Sequence, residues 1–199
     1  MMKFDQSVDI DLLPDVYNPS DDSYLILETI EVNSGERFLD MGCGSGLIAV
    51  HAAKAGADVV AADINPHAVD CTRRNAHKNG VRLEVVQSNL FEQLHGSFDV
   101  IAFNPPYLAL EEKSTSWIEK SWSGGEDGAD VAGPFLEQAH RYLAPNGRIY
   151  MILSSLGGLR TLLRTAKKHY RSELIEEKHM FFESIFAYQF ERDILASDK

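Results

Sequence analysis

Cysteine, basic residues and long apolar runs are all scarce in this sequence. The two cysteines, Cys43 and Cys71, do not have the spacing of metal ligands, and they are too few for the disulfide framework of a small secreted protein. No apolar run approaches the length of a membrane-spanning helix, and residues 1–6 lack the apolar core of a signal peptide. We therefore expect a cytoplasmic chain with no metal site and no membrane contact.

The shortage of basic residues makes the chain strongly acidic. Thirty Asp and Glu residues against 19 Lys and Arg residues give a formal net charge of −11. A protein that binds free duplex nucleic acid usually presents a basic face, because neutralising phosphates supplies most of the affinity. The charge therefore argues against direct nucleic-acid binding and favours a basic protein or a small molecule as substrate. The main basic cluster, Lys167, Lys168 and Arg171, is typical of a solvated helix face.

The order of apolar segments predicts an α/β protein. Of the 199 residues, 44% are hydrophobic, which is enough for one domain with a full core. Short apolar runs alternate with helical segments, as in a doubly wound, mostly parallel sheet. The last two strands are joined by a turn too short for a crossover helix, so they must pair antiparallel. The predicted strands are 38–41, 58–62, 82–87, 98–102, 148–153, 174–181 and 184–190, and the main predicted helices are 47–55, 66–78, 131–143 and 159–170.

The motif Asn104-Pro105-Pro106-Tyr107 directly follows one of these buried strands. Successive prolines cannot continue a strand, because neither has an N–H for the ladder. Asn104 is thus expected at the carboxyl edge of the sheet, where open α/β folds bind ligands. There the Asn104 side-chain oxygen and the Pro105 carbonyl can accept both N–H bonds of a planar nitrogen and orient its lone pair towards a methyl donor. Pro106 and Tyr107 would line the substrate pocket. A rigid turn that merely contains Asn is the alternative.

A second motif, a glycine-rich turn, follows the first strand of the alternation. Asp40 precedes Gly42, Gly44 and Gly46, and Asp63 ends the next strand, 21 residues after Gly42. Glycines let the backbone turn sharply beside a ligand, and an acid at this spacing can bind ribose hydroxyls. Position 47 is leucine, where a pyrophosphate-binding fingerprint requires glycine. The pattern therefore predicts a nucleoside site without phosphates, with simple helix–strand packing as the alternative.

The third strand is followed by an amide, Asn89, at the same predicted edge. An amide there can hydrogen-bond to the edge of adenine, although capping of its own loop is the alternative role. The neighbouring apolar residues Ile64 and Leu90 complete this set of candidate nucleoside contacts.

Taken together, the turn at 40–46, Asp63, Asn89 and the Asn-Pro-Pro-Tyr motif resemble a class I methyltransferase that uses S-adenosylmethionine. The resemblance implies a Rossmann-like sheet of order 3-2-1-4-5-7-6 whose last strand is antiparallel. It also implies that the glycine turn holds the methionine end of the cofactor, Asp63 the ribose and Asn89 the adenine, with Asn104 next to the transferred methyl.

Two further stretches resemble the HemK-related enzymes, which methylate a glutamine of peptide chain release factors. Residues 16–27 resemble the N-terminal motif that closes over the cofactor, with Tyr17, Asp22 and Ser23 at matching positions. Residues 122–128 resemble the Trp-x-Gly-Gly-x-x-Gly loop of that family, which makes Trp122 a candidate substrate contact. The chain resembles the archaeal and eukaryotic branch, in which residues 1–199 would be a single catalytic domain and residues 1 to about 34 its cofactor-covering segment.

That branch generally works with a small zinc-containing activator subunit on the third strand, and it methylates the glutamine of a Gly-Gly-Gln motif. In the expected strand order, the third strand, residues 81–87, is an edge. Val81, Leu83 and Val85 would face one way and Val86 the other, and an apolar edge strand favours a partner that covers it. The resemblance therefore implies two protein partners, the release factor and the activator.

The Asn-Pro-Pro-Tyr motif alone defines only the type of nitrogen that is methylated. It also resembles adenine N6 and guanine N2 methyltransferases, which act on nucleic acids. Methylation of a nucleic-acid amino group therefore remains an alternative, as does a module that binds S-adenosylmethionine without turnover.

Overall fold

The computed structural model describes residues 2, 4–107, 117 and 129–193, and these form one sheet with helices on both faces. The strands are β1 (Arg37–Met41), β2 (Asp58–Asp63), β3 (Glu84–Gln87), β4 (Phe98–Phe103), β5 (Leu143–Ser154), β6 (Tyr170–His179) and β7 (Ser184–Arg192). The helices in these ranges are α1 (Asp21–Thr29), α2 (Leu47–Lys54), α3 (Pro66–Lys78), α4 (Ala132–Ala139) and α5 (Leu159–Ala166). Across the described residues, none of the helices has the length and apolarity needed to cross a bilayer.

The sheet has the predicted order, β3-β2-β1-β4-β5-β7-β6. Strands β1 to β5 are mutually parallel, and β7 is antiparallel to both β5 and β6. Met41 at the end of β1 is level with Ala62 on β2 and with Phe103 on β4. The chain therefore leaves all three strands at one edge, which brings together the segments that follow them.

Two apolar cores lie on opposite faces of the sheet. Helices α1 and α2 pack over one face, where Ile26, Ile30 and Ala49 are fully buried. Helices α4 and α5 cover the other face, with Phe135 and Ala166 fully buried. Strands buried on both faces explain why β1, β2 and β4 appear in the sequence as continuous apolar runs rather than as alternating patterns.

Several predicted boundaries were wrong, and β5 shows the physical reason. Leu143 already pairs with Phe98, and the next pair is Arg148 with Val100, so residues 144–147 form an irregularity within one strand. The turn signal Asn146-Gly147 is therefore absorbed as a bulge instead of separating a helix from a strand. The predicted helix 131–143 accordingly ends at Ala139.

Other elements differ in length from the predicted ones. Strand β3 has four residues, helix α5 ends four residues before Tyr170, and β6 begins at Tyr170 rather than at Leu174. In α1 the large side chain of Tyr24 is exposed, whereas Asp22 and Ser23 are buried. Two polar residues buried in the first turn of a helix indicate that this end of α1 packs against a polar site.

An ion pair connects the start of β1 to β5. The Arg148 guanidinium donates to both carboxylate oxygens of Glu36, at 2.9 and 2.8 Å, and also to the Glu31 carbonyl. The two side chains are only 15% and 20% exposed. The hydrogen bonds from Arg148 lower the pKa of Glu36 to about 2, so this pair is stronger than a typical surface ion pair.

Replacement of Glu36 by Gln should lower the free energy of unfolding by roughly 2 kcal/mol at pH 7, because Arg148 loses a bidentate charged partner. The pKa of Glu36 is depressed from 4.5 in the folded state. Its stabilisation is therefore fully present above about pH 4.5 and is lost as the pH falls towards 2. Urea unfolding at pH 7 and pH 3 should show a difference between wild type and variant that shrinks at pH 3.

The matched control for this prediction is Glu137→Gln, which removes a largely exposed pair with Lys168. It should change the free energy of unfolding by less than about 0.5 kcal/mol at either pH. Equal stability of Glu36→Gln and wild type at pH 7 would contradict the assigned strength of the buried pair.

Candidate active site

In the glycine turn between β1 and α2, two glycines pack closely against neighbouring side chains and one has free space beside its backbone. Gly42, Gly44 and Gly46 have φ angles of +66°, +53° and +81°, a region that favours glycine. A Cβ on Gly42 would lie 3.2 Å from the Phe103 ring, and one on Gly46 would lie 3.0 Å from Thr72. A Cβ on Gly44 would meet nothing closer than a backbone oxygen at 4.0 Å. The outer glycines thus permit close packing, while Gly44 leaves space for a ligand beside the backbone.

Two carboxylates lie beside this turn. Asp63 accepts hydrogen bonds from the backbone N–H groups of Gly44, at 2.9 Å, and Asn65, at 2.8 Å. Asp40 is 2% exposed and accepts from the N–H of Ala49 at 3.0 Å, so it ties α2 to β1. Burial, with a smaller contribution from the charge of Asp63, raises the pKa of Asp40 to about 8, and burial also raises the pKa of Asp63.

The turn after β3 holds a leucine in the left-handed region. Leu90 has a φ angle of +47°, which costs a non-glycine residue roughly 1 kcal/mol or more. The Ser88 hydroxyl supports it by donating to the Leu90 carbonyl at 2.7 Å. The Asn89 side chain is exposed and its amide nitrogen donates to Glu92 at 2.8 Å. Ile64 after β2 is 51% exposed, so this edge offers apolar surface beside polar groups.

Asn104 lies directly after β4, as the two prolines predict. Pro105 is buried, and Asn104 and Pro106 are half-buried. Among the described residues, the Asn104 Oδ1 atom is buried and has no hydrogen-bond partner. A buried acceptor without a partner costs roughly 1–3 kcal/mol, and such atoms are rare in native structures. This oxygen is therefore available to an N–H donor that enters the site.

A buried carboxylate joins the N-terminal segment to the Asn-Pro-Pro-Tyr motif. Asp22 is 4% exposed. It accepts from the Tyr17 hydroxyl at 3.1 Å and from the Tyr107 hydroxyl at 3.0 Å. It also accepts from the Ser23 backbone N–H at 2.6 Å and from the Ser23 hydroxyl. Burial and the charge of Asp22 raise the pKa of both phenols, so they remain protonated donors.

Tyr107 makes a contact in the structure that the sequence did not predict. The motif predicted that Tyr107 lines a substrate pocket, whereas in the structure its hydroxyl binds Asp22 and its ring packs against the core beneath α1 and α2. The two residues are 85 positions apart. Nothing in the local sequence could have identified this contact, which gives Tyr107 a positioning role.

The N-terminal segment reaches the site because it is tied along α3. Asp11 donates its N–H to the Asn75 side chain and accepts from it through its carbonyl, at 2.9 and 2.8 Å. The Asn65 amide donates to the Asp15 carbonyl at 2.7 Å and its oxygen caps α3. The sequence offered little indication of the role of Asn75, a mid-helix amide whose only signal was that amides are poor helix formers.

Residues 122–128 are the segment that the family resemblance predicts to contact substrate. Trp122 and the other residues of the segment 122–128 lie outside the described residues. The role of Trp122 in substrate binding therefore stays a prediction.

Comparison with known proteins places this arrangement among methyltransferases. Residues 18–182 match the family model "Methyltransferase small domain". A protein of Methanocaldococcus jannaschii assigned as a protein N5-glutamine methyltransferase is 37% identical over 165 residues, covering 81% of this chain and 84% of that protein. Methyltransferase HEMK2 of Mus musculus is 32% identical over 167 residues, covering 77% and 78%.

A solved structure shares the fold over nearly its whole length. It is the E. cuniculi Mtq2–Trm112 complex, described as responsible for methylation of the translation termination factor eRF1. The matched chain superposes with a TM-score of 0.72 at 21% identity, covering 90% of this chain and 99% of that one.

Replacement of Asp22 by Ala should lower the free energy of unfolding by roughly 1–3 kcal/mol, because two half-buried phenols lose their acceptor. Tyr107→Phe should cost about 1 kcal/mol, since it removes one of these hydrogen bonds. Urea denaturation measures both. The neighbouring Asp21 is exposed and pairs with Lys178 at the surface, so Asp21→Ala should stay within about 0.5 kcal/mol of wild type. If Asp22→Ala is as stable as Asp21→Ala, the buried carboxylate does not hold the segment.

Proposed function

Because this chain belongs to the methyltransferase small-domain family and is a relative of N5-glutamine methyltransferases, we propose that it methylates the side-chain amide nitrogen of a release-factor glutamine. The chain is an S-adenosylmethionine-dependent methyltransferase by family membership. The acceptor would be the glutamine of the Gly-Gly-Gln motif in a class I peptide chain release factor. The observation that carries the proposal is the buried Oδ1 atom of Asn104, which has no partner among the described residues.

The residues at the sheet edge fit S-adenosylmethionine. The space beside Gly44 can take the methionine end against the backbone, and the partly exposed Asp63 carboxylate can accept from ribose hydroxyls. The exposed Ile64 and the strained Leu90 offer apolar contact to a flat adenine ring, with Asn89 at its edge. When bound, the cofactor supplies an electrophilic methyl group on its sulfonium.

The N-terminal segment, residues 1 to about 34, would cover the cofactor. Its ties to α3 at Asn65 and Asn75 bring it to the carboxyl edge, where it ends in the buried Asp22 contact. Ser23 lies under the same contact, and its hydroxyl and backbone N–H both bind Asp22. A covering segment would keep bulk water away from the cofactor and strengthen the electrostatic interactions around it.

Asn104 would activate the acceptor by orientation. The amide nitrogen of glutamine is a poor nucleophile because its lone pair is delocalised into the carbonyl. Its two N–H groups would donate to the Asn104 Oδ1 and the Pro105 carbonyl, which favours a pyramidal nitrogen with its lone pair directed at the methyl donor. The nitrogen gains a methyl group and loses one proton. That proton passes to water, because Tyr17 and Tyr107 are held protonated by burial and by Asp22.

A protein acceptor fits this chain better than a nucleic acid. The M. jannaschii relative is assigned as an N5-glutamine methyltransferase, and the net charge of −11 opposes binding of a polyanion without a basic partner. A nucleic-acid amino group is nevertheless compatible with Asn104, so it enters the test as a competing substrate. Since release factors act on ribosomes, we place the reaction in the cytoplasm.

A small zinc-containing activator would pair with β3, by analogy with the Trm112 subunit of the E. cuniculi complex. Strand β3 is the edge of the sheet, and Val85 and Val86 pack on opposite faces as predicted, leaving the outer backbone edge for a partner. Arg73 already donates to the Val85 carbonyl at 2.9 Å. A partner strand would therefore have to displace that guanidinium from the Val85 carbonyl or form its hydrogen bonds with the other backbone groups of β3.

Labelled S-adenosylmethionine should transfer its methyl to a wild-type release factor, and not to a factor whose Gly-Gly-Gln glutamine is replaced or to RNA or DNA. Asn104→Ala should lower kcat by about 100-fold or more, as loss of an orienting acceptor typically does. The control Asn146→Ala, which removes an exposed amide in the β5 bulge, should keep wild-type activity. Label on nucleic acid and none on the release factor would sink the proposal.

The activator prediction can be tested with the isolated chain. Adding a candidate zinc-containing subunit should raise the rate of methyl transfer and reduce self-association, because it covers the β3 edge. Sedimentation and initial rates, with and without the subunit, measure both effects. A chain that is monodisperse alone and gains no activity from the subunit would contradict this part of the proposal.

A further inference from the structure

The turn between β6 and β7 carries two phenylalanines that nothing among the described residues covers. Phe181 is 92% exposed and Phe182 is 85% exposed, whereas the next most exposed large hydrophobic residue, Ile64, reaches only 51%. Their rings contact each other edge to face, with centroids 4.6 Å apart. Exposed aromatic pairs are costly in water, and they are enriched in interfaces as anchors.

This turn, with Phe181 and Phe182, is called the aromatic tip below, and it lies at the same edge of the sheet as Asn104. Strand β7 runs antiparallel to β5, and Ser154 at the carboxyl end of β5 pairs with Ile185. The turn therefore projects beyond the carboxyl end of β5. Lys178 on β6 pairs with Asp21 at 3.2 Å, next to the buried Asp22. The tip thus flanks the segment that covers the site.

Glu183 connects the tip to the site electrostatically. Its carboxylate accepts from the Ser154 hydroxyl at 2.6 Å. After burial and the nearby Asp22, the charge of Glu183 contributes to raising the pKa of both Tyr17 and Tyr107. The residue that follows the phenylalanines is therefore within electrostatic range of the last residue of the Asn-Pro-Pro-Tyr motif.

The backbone of the tip is also fixed by hydrogen bonds on both of its sides. The Met180 N–H donates to the Glu183 carbonyl at 2.7 Å, which closes the turn. Ser155 donates its N–H to the Ser184 carbonyl and accepts from the Ser184 N–H through its hydroxyl, both at 2.9 Å. A preorganised turn loses little conformational entropy when a partner binds it, which favours its use as a docking element.

We propose that Phe181 and Phe182 dock the acceptor protein and hold its glutamine loop at Asn104. This inference rests on the proposed function. The activator edge, β3, is at the other end of the seven-stranded sheet, and six strand spacings of about 4.8 Å put it roughly 29 Å away. The tip therefore adjoins the site of methyl transfer rather than the proposed activator surface.

The acidic side chains around the tip favour a basic protein over an anionic partner. Glu176, Glu177 and Glu183 lie on the hairpin, against Lys178 and His179. An acidic surround repels anionic lipid and nucleic-acid backbones, whereas it steers a basic protein surface towards the aromatic anchors. The two phenylalanines would supply affinity, and the acidic side chains would orient the partner and raise the association rate.

The test uses the double variant F181A/F182A in the presence of the candidate activator. With the full-length release factor, KM should rise about tenfold or more while kcat stays within about twofold, because only docking is lost. With a short peptide that contains the Gly-Gly-Gln sequence, KM should equal that of wild type. Affinity for S-adenosylmethionine and the thermal unfolding midpoint should not change, since both side chains lie outside the core.

Two further variants serve as controls. F181Y/F182Y keeps the aromatic surface and should retain most of the affinity for the release factor. Ile175→Ala removes an exposed apolar side chain from the same hairpin, away from the turn, and should leave the KM unchanged.

The outcomes separate this inference from the proposed function. If wild type methylates the release factor and F181A/F182A does so with the same KM, the docking role is wrong and the function stands. If wild type methylates neither factor nor peptide, the proposed function fails and the docking role fails with it. If F181A/F182A instead abolishes self-association in sedimentation and leaves the KM unchanged, the tip is a contact between copies of this chain, which also overturns the proposal.

Discussion

Parallel pairing of β1 with β2 on one side and with β4 on the other is the constraint on which the candidate site depends. Because the three strands end level with one another, the glycine turn, Asp63 and Asn104 leave the sheet at one edge. A hydrogen bond from the Gly44 N–H to Asp63 then joins the turn after β1 to the end of β2. The candidate nucleoside contacts and the proposed acceptor contact are therefore neighbours by topology, and their spacing depends on paired strands.

The N-terminal segment contributes a second constraint, centred on the Asp22 carboxylate. A buried carboxylate is costly unless its oxygens accept hydrogen bonds, and here two phenols and Ser23 supply them. The contact links the N-terminal segment with the last residue of the Asn-Pro-Pro-Tyr motif. The positions of the segment and of Tyr107 therefore depend on the same carboxylate. By contrast, the Asn104 Oδ1 has no hydrogen-bond partner in the described part of the chain, and it lies where an N–H donor would bind.

The two candidate surfaces for protein partners lie at opposite ends of the sheet. The short β3 edge has its apolar side chains packed on both faces, so a partner there would be recognised mainly by the backbone. At the other end, the β6–β7 turn exposes aromatic side chains beside the site. The other edge strand, β6, is protected against pairing with a further strand, because it is charged and irregular between Leu174 and Glu176.

The sequence by itself determined the alternation of strands and helices, the turn at 40–46 and the position of Asn104, because each depends on local backbone chemistry: glycine at positive φ, proline without an N–H, and apolar runs buried on both faces. The strand order followed from the family resemblance and not from any local signal. It misjudged lengths where pairing overrides local signals, as at Asn146-Gly147. Only the tertiary structure decided that Asp22 binds Tyr107 and that Asn75 holds Asp11. It also decided that no described residue partners the Asn104 oxygen or covers Phe181 and Phe182. Those properties depend on residues far apart in the chain, and burial of one residue is set by which others pack upon it.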